Sequence, residues 1–198
     1  MSSAFEQWND EDLADLVAAY PLAWIIPLAD PAIATPMPVL LDRDEGGKPV
    51  SLLGHLPKRH PMVSVLAADP RALFLFQGPH SYISPAWIDT ADWAPTWNFA
   101  VARVEASAVF DDDLTDQALK RLVEHMEKIH PSGWTTGALG DRYNDLKARV
   151  IGFSATISSV TARFKLGQDE KPEIFEQIIS GLGDDPLAQW MRRFAAGK

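Results

Sequence analysis

The feature of this sequence that most restricts its fold is a short turn between two extended segments. Residues Thr35–Leu41 and Val50–Leu56 have the composition of β-strands, and Asp42–Pro49 between them contains Gly46 and Gly47. Glycines at such places supply the positive φ angles that tight hairpin turns require. Two strands joined by so short a connection pair with each other in an antiparallel arrangement, so the chain is predicted to contain an antiparallel sheet.

Four further segments have the alternating or β-branched pattern of strands. They are Ala23–Leu28, Leu73–Gln77, Asn98–Phe110 and Val150–Phe164. Together with the hairpin they predict consecutive antiparallel pairing, which favours a barrel over a parallel sheet. A doubly wound nucleotide-binding fold is disfavoured further, because the sequence contains neither a Gly-x-Gly-x-x-Gly nor a Gly-x-x-x-x-Gly-Lys-Ser/Thr motif.

Helices are predicted where apolar residues recur at intervals of three and four between a polar cap and a proline. They begin at Asn9 or Asp10, at Pro61, at Asp112 or Asp113, at Pro172 and at Pro186. The last two have apolar faces that dock either on the barrel or on a second subunit. Strands and helices together predict one mainly β (α+β) domain over residues 1–198, with C-terminal helices from about residue 172.

Charge is the most informative property of the composition. The chain has 18 Lys and Arg residues against 27 Asp and Glu residues, a formal net charge of −9. Nucleic acid would be repelled overall, because phosphate contacts dominate that affinity, so direct DNA binding is not expected.

The absence of cysteine excludes disulfides and thiolate metal sites. With neither a secretory leader nor an apolar run near twenty residues, a cytoplasmic protein that does not bind membranes is expected.

Several kinds of catalytic site have no support in the sequence. It contains no Gly-x-Ser-x-Gly and no His-Glu-x-x-His motif, so a serine hydrolase or a zinc protease is not indicated. No metal site is expected from His125 and His130, because five helical positions put them about 140° apart around the helix axis. Catalytic residues are therefore left unassigned.

Aromatic residues are concentrated around the segment Gly78–Pro95, which is predicted to be a long loop. A connection of that length is commonly functional. In one interpretation this segment lines a pocket with His80, Ser81, Tyr82 and Ser84. In the other, Ser81–Ile83 is a paired strand whose hydroxyls bond to the backbone. Trp24, on the first strand, is predicted to be part of the core.

Cationic residues gather at the predicted start of the second helix. Lys58, Arg59 and His60 lie between Pro57, which ends a strand, and Pro61, which begins the helix. The N–H groups and dipole of a helix N-terminus attract anions, and two fixed cations add to that attraction, so the arrangement suits a phosphate monoester. From these residues alone, a solvated turn with two ordinary surface cations is the favoured alternative.

Three longer motifs indicate a family. Residues 54–61 read Gly-His-Leu-Pro-Lys-Arg-His-Pro, residues 76–87 read Phe-Gln-Gly-Pro-His-Ser-Tyr-Ile-Ser-Pro-Ala-Trp, and residues 95–99 read Pro-Thr-Trp-Asn-Phe. In this order of strands and helices they resemble the PaiB-type branch of the FMN-binding split-barrel proteins, which is labelled as negative transcriptional regulators. Phe164–Gln168 is similar to that family's C-terminal signature. Two features depart from the family: the opening Tyr-x-Pro-x-x-Phe is missing, and His60 replaces the usual Asn before the proline.

The resemblance implies a split β-barrel that forms a homodimer and binds FMN. It implies that the flavin phosphate lies on the cationic turn and that the ring edges face donors near Gln77, Thr96 and Asn98. Trp97 covers or borders the ring in one interpretation and plugs the barrel in the other. The implied cofactor contacts are His55, Lys58, Arg59, His60, Gln77, Thr96, Trp97 and Asn98.

The resemblance also bears on activity, because a bound flavin supplies redox chemistry with few protein groups. The first interpretation is a flavin-dependent oxidoreductase-like protein with an indirect regulatory role and an unknown small molecule as its partner. One alternative is a transcriptional repressor that acts on DNA. The other is a barrel that has lost its flavin and binds a different small anion.

Overall fold

The computed structural model describes residues 4–196, which form six strands and six α-helices. The strands are β1 (Leu22–Pro27), β2 (Thr35–Arg43), β3 (Pro49–Pro57), β4 (Arg71–Ile83), β5 (Thr96–Asp111) and β6 (Val150–Lys165). The helices are α1 (Asp10–Ala19), α2 (Pro61–Ala68), α3 (Asp112–Ile129), α4 (Arg142–Lys147), α5 (Pro172–Leu182) and α6 (Pro186–Ala196). Short 3₁₀ turns cover Ala4–Glu6, Pro31–Ile33, Pro85–Trp87 and Thr136–Leu139. Among residues 4–196, no helix combines the length and the apolar character needed to cross a membrane.

The six strands form a closed barrel in the order β1-β2-β3-β6-β5-β4, with β4 paired to β1. The predicted antiparallel barrel is therefore confirmed, and the predicted hairpin joins β2 to β3, with Gly47 at a φ of 84°. The prediction of consecutive pairing is wrong at one place, because β3 pairs with β6 and not with β4. The connection through α2 lets the chain leave the β3 edge and return beside β1, and that return closes the barrel.

Strand β4 is longer than predicted and absorbs part of the expected loop. It continues through Gly78 and Pro79 to Ile83, so His80 and Tyr82 belong to a strand. Glycine and proline indicate a turn in a sequence, but a strand tolerates both at bulges and edges, which is why the pattern misled. The remaining connection to β5 is shorter and contains one 3₁₀ turn.

The described chain forms two compact units. The larger comprises Asp10–Phe76 and Arg103–Thr161, and the smaller comprises residues 4–9, 77–102 and 162–196. That the whole chain folds as a single domain stays a prediction.

The core of the larger unit is built on aromatic rings. Phe153 packs with its ring centroid 6.2 Å from that of Phe74 and 6.0 Å from that of Phe110. A Cβ on Gly54 would lie 2.6 Å from Cζ of Phe153, so the absence of a side chain at Gly54 makes room for that ring. Trp24 is not in this core: its side chain is 49% exposed, and the prediction that it is buried is wrong.

The smaller unit buries the apolar faces of its two terminal helices. Phe164 stacks on Phe194 with 4.9 Å between ring centroids and on Trp190 with 6.3 Å. The buried apolar residues of α5 and α6 are Ile174, Ile178, Ile179, Leu182, Leu187, Ala188 and Met191. These faces are already covered within the chain, so the terminal helices do not offer them to a second subunit.

Candidate functional site

The cationic turn lies between β3 and α2, as predicted, and backbone hydrogen bonds hold it at both ends. The N–H of Lys58 donates to the carbonyl oxygen of Arg149 over 2.9 Å. The N–H of His60 donates to the carbonyl oxygen of Pro57, also over 2.9 Å. Proline at the first position of α2 has the φ angle of a helix and no N–H to satisfy, so the helix begins there. Local sequence therefore sets where α2 begins, and the distant contact with Arg149 holds the other end of the turn.

His60 caps α2. Its backbone is extended, and its Nδ1 accepts a hydrogen bond of 3.2 Å from the N–H of Met62. The family that the sequence resembles has asparagine at this position, and asparagine caps helices through its side-chain oxygen. In this chain, the imidazole nitrogen of His60 accepts the capping hydrogen bond instead. The expectation that the first N–H groups of α2 are free for a ligand is thus wrong for Met62. His60 retains Nε2 as a donor.

The two cations of the turn differ in their partners. Nζ of Lys58 lies 2.7 Å from Oδ1 of Asp112, at the start of α3, and both side chains are solvent-exposed to a large extent. Arg59 is exposed, and its guanidinium has no ion-pair partner within residues 4–196. Arg59 is accordingly the cation of this turn that is free to meet an anion, whereas Asp112 partly neutralises Lys58.

His55 lies on β3, two residues before Pro57, on a face that α3 covers. It is opposite Gly152 of β6 in the strand register. A Cβ on Gly152 would lie 2.6 Å from the backbone of Leu114 and Thr115, which shows how closely the first turn of α3 approaches the sheet here. Nδ1 of His55 is buried and has no hydrogen-bond partner in the described part of the chain. Burial lowers the pKa of His55 below its ordinary value.

The depressed pKa of His55 predicts how stability depends on pH. Unfolding restores the ordinary pKa of about 6.5, so below that pH the unfolded chain binds more protons than the folded one. The free energy of unfolding is expected to fall as the pH falls from about 6.5 through the folded pKa of His55. In His55→Gln, this part of the pH dependence of the unfolding free energy should vanish. Urea unfolding at several pH values measures it, with His130→Gln as a control at an exposed histidine. An unchanged pH dependence in His55→Gln would contradict the assignment.

The remaining predicted flavin contacts, Gln77, Thr96, Trp97 and Asn98, belong to the smaller unit. Trp97 and Gln77 are exposed. Trp97 is 53% exposed, so the interpretation in which it plugs the barrel is wrong. Its ring stacks on that of His80 with 6.3 Å between centroids, and Tyr82 contacts it edge-on at 6.0 Å. Nε2 of Gln77 lies 3.2 Å from Nδ1 of His80. These four side chains form an exposed aromatic cluster with an amide at its margin.

Thr96 and Asn98 flank Trp97 on β5 and are engaged by other side chains. Nζ of Lys165 donates a hydrogen bond to Oγ1 of Thr96. Asn98 is buried, and its Nδ2 lies 3.6 Å from Sδ of Met191, a weak acceptor. The amide of Asn98 thus has a partner inside the protein, so its predicted contact with a flavin ring competes with an existing one.

Sequence reasoning misses the functional relevance of Asp112 and Lys165. The local pattern indicates Asp112 only as a possible helix cap and Lys165 only as part of a family signature. Each contacts a predicted site residue that is far away along the chain, Lys58 and Thr96 respectively. No local pattern links such pairs, so only the tertiary structure could reveal them.

Comparison with known proteins agrees with the barrel. Residues 1–159 match the family model described as "Putative FMN-binding domain". The protease synthase and sporulation protein PAI 2 of Bacillus subtilis, the PaiB protein, is 27% identical over 172 residues, which are 84% of this chain and 81% of the relative.

Two solved structures share the fold. The flavocytochrome Anf3 from Azotobacter vinelandii superposes with a TM-score of 0.59 at 14% identity, covering 80% of this chain and 68% of that one. The FAD and heme binding protein from Mycobacterium smegmatis gives a TM-score of 0.59 at 16% identity, covering 87% and 78%. The family match over most of the chain and the shared split-barrel fold lead to one conclusion: the chain belongs to the FMN-binding domain family, and FMN is its cofactor.

Proposed function

We propose that the β3–α2 turn of this chain holds the phosphate of FMN and that the protein is a flavin-dependent oxidoreductase-like protein with an indirect regulatory role. Its second substrate is a small molecule of unknown identity. The observation that carries this proposal is Arg59, an exposed guanidinium with no ion-pair partner in residues 4–196, next to Lys58 and the first turn of α2. A homodimer, as the resemblance implies, is part of the proposal.

The chemistry of the turn fits a phosphate monoester. A phosphate near neutral pH carries close to two negative charges and three strong acceptor oxygens. Arg59 can donate two parallel N–H bonds to such a group, and Nε2 of His60 offers a further donor. The ion pair between Lys58 and Asp112 is exposed to water and therefore weak, so a doubly charged phosphate can replace the carboxylate.

The chain's own residues bind and orient, and the flavin supplies the reaction. A bound isoalloxazine accepts and returns hydride, while the protein determines which face and edge of the ring meet the substrate. We keep Gln77, Thr96, Trp97 and Asn98 as the predicted ring contacts. Of these, Gln77 and Trp97 are exposed and can meet a ligand without rearrangement, whereas Thr96 and Asn98 must share or lose a present partner.

The indirect nature of the regulatory role follows from charge. The net charge is −9, and six of the seven ion pairs in the described chain occupy Arg43, Arg71, Lys120, Arg121, Lys147 and Arg163 with carboxylates. The acidic excess of the whole chain repels a phosphate backbone, so any DNA binding should be weak and salt-sensitive. Sequence-selective retention of DNA at physiological salt would contradict an indirect role.

The test of FMN binding compares two flavins that differ only in the phosphate. Wild-type protein is expected to bind FMN at least about tenfold more tightly than riboflavin, because one charge-assisted hydrogen bond contributes roughly 1.5–3 kcal/mol. Quenching of flavin fluorescence on titration with protein gives both affinities. Equal affinities would mean that the turn does not hold the phosphate. A wild-type protein that does not bind FMN would favour the alternative of a barrel that binds a different small anion.

A further inference from the structure

A cleft in the larger unit lies between two helices and a strand. We call it the α1–α3 cleft: side chains from residues 11–18 of α1 and 121–128 of α3 form its walls, and side chains from residues 40–43 of β2 form its floor. Its volume is about 370 Å³, within the range of about 300–1,000 Å³ that is typical of small-molecule sites. The cleft lies near the hairpin end of β2, whereas the cationic turn follows the other end of β3, so the two sites are separate.

The residues that line the two walls share one face of each helix. They include Glu11, Ala14 and Ala18 on α1, and Arg121, Glu124 and Lys128 on α3. Both sets are spaced by three and then four positions, which places side chains on the same face of a helix. Because the two alanines have small side chains, they leave the space that the cleft occupies.

Polar contacts between the three elements fix the shape of the cleft. Nε2 of His125 donates a hydrogen bond of 2.7 Å to the carbonyl oxygen of Ala18, which joins α3 to α1. Nη2 of Arg43 lies 2.6 Å from Oε2 of Glu11, which joins β2 to α1. Glu11 and Ala18 are seven residues apart, or roughly 10 Å along the helix. The cleft is thus preformed over the length of a small organic molecule.

The charges that line the cleft are balanced. Its lining includes three cations and three carboxylates, which are Arg43, Arg121, Lys128, Glu11, Asp15 and Glu124. A simple anion would meet the carboxylates and a polyamine would meet the cations, so either ligand would encounter like charge inside the cleft. Electrostatic complementarity favours a ligand that carries one charge of each sign.

Glu124 and Lys128 supply one unpaired charge of each sign. Both are exposed, and neither forms an ion pair within residues 4–196. They are one helical turn apart with the acid first, an order that favours pairing on a helix. The similarly spaced pair of Asp116 and Lys120, also on α3, is closed at 2.7 Å. Glu124 and Lys128 are therefore available to a ligand, with their Cβ atoms about 5–6 Å apart.

We propose that the α1–α3 cleft binds a free amino acid with an apolar side chain. The carboxylate of the ligand contacts Nζ of Lys128, and its ammonium group contacts the carboxylate of Glu124. This arrangement matches the short distance between the two charges of an amino acid. The apolar side chain packs on Ala14, Ala18 and the largely buried Leu40. This site goes beyond the proposed flavin function and does not depend on it.

The first test compares ligands that differ by one group. Calorimetric titration of the whole chain, with FMN present throughout, uses L-leucine as the probe. Isocaproate is leucine without the amino group, and isoamylamine is leucine without the carboxylate. Wild type is expected to bind L-leucine about fivefold or more tightly than either analogue, because each analogue lacks one charged contact near the protein surface.

The second test changes the two exposed residues of the cleft. Lys128→Gln should weaken L-leucine about fivefold but should not weaken isoamylamine, which has no carboxylate for Lys128 to contact. Glu124→Gln should weaken L-leucine by about the same factor but should not weaken isocaproate. Lys120→Gln is the matched control, because Lys120 is on the same helix and does not line the cleft.

Selective losses in the two cleft variants, with Lys120→Gln equal to wild type, support the proposal. A wild-type protein that does not bind L-leucine, or binds it no more tightly than both analogues, overturns the amino acid as ligand. L-leucine binding that survives both cleft variants, or that Lys120→Gln weakens equally, overturns the cleft as its site. Circular dichroism verifies that each variant is folded, so a loss of binding is not mistaken for unfolding.

Discussion

Arg59→Ala is expected to weaken FMN binding roughly ten- to a hundredfold while leaving the weak binding of riboflavin almost unchanged. The loss reflects one charge-assisted contact with a phosphate that riboflavin lacks. Arg59 has no ion-pair partner in the described chain, so its removal leaves no carboxylate unpaired and should not affect folding. Fluorescence-quenching titrations of wild type and variant with each flavin measure the effect. Equal losses for both flavins would mean that Arg59 does not contact the phosphate.

Lys58 permits a sharper version of the same experiment, because its present partner is known. Lys58→Ala should also weaken FMN selectively, whereas Asp112→Asn should leave FMN affinity equal or improve it by removing a competing carboxylate. Lys48→Ala is the matched control: Lys48 precedes β3 and Lys58 follows it, so about nine residues of strand, roughly 30 Å, separate them. If Lys48→Ala weakened FMN as much as Lys58→Ala, the effect would reflect overall charge and not a site.

Gly152→Ala is expected to destabilise the fold by roughly 1–3 kcal/mol or more, as forced overpacking does. The added Cβ would lie 2.6 Å from the carbonyl carbon of Leu114 and the nitrogen of Thr115, and these are backbone atoms that cannot rotate away. The N–H of Gly152 also donates to Oγ1 of Thr115 over 2.9 Å, a bond that lengthens if α3 is displaced. Relief therefore requires movement of the first turn of α3, which carries Asp112.

Thermal and urea unfolding of Gly152→Ala measure this loss, which corresponds to roughly 2–4 °C in melting temperature per kcal/mol for a chain of this size. Gly137→Ala is the matched control, because a Cβ there meets only Oγ1 of Thr135 at 3.5 Å and the residue is exposed. A melting temperature for Gly152→Ala equal to that of Gly137→Ala would show that α3 adapts without cost.

Elements whose signals are local can be predicted well from the sequence. Helix α2 spans Pro61–Ala68 as predicted, and α5 and α6 begin at Pro172 and Pro186, because proline at a first helical position acts within its own turn of chain. The hairpin between β2 and β3 is equally local. For the same reason the amino-acid sequence alone indicates the cationic turn that carries Lys58 and Arg59.

Only the tertiary structure decided two kinds of feature. One is the contact between residues that are distant in the chain, and the other is the orientation of a strand that is apolar on both faces. The pairing of β3 with β6 and the contact of Asp112 with Lys58 depend on how the chain returns after α2 and α3, which no short window of sequence contains. Strand β1 is apolar at nearly every position, so its pattern with a period of two could not show which face turns inward. The barrel turns Ala23 and Ile25 inward because β4 presents its buried residues Ala72 and Phe74 on that side, and this leaves Trp24 in solvent.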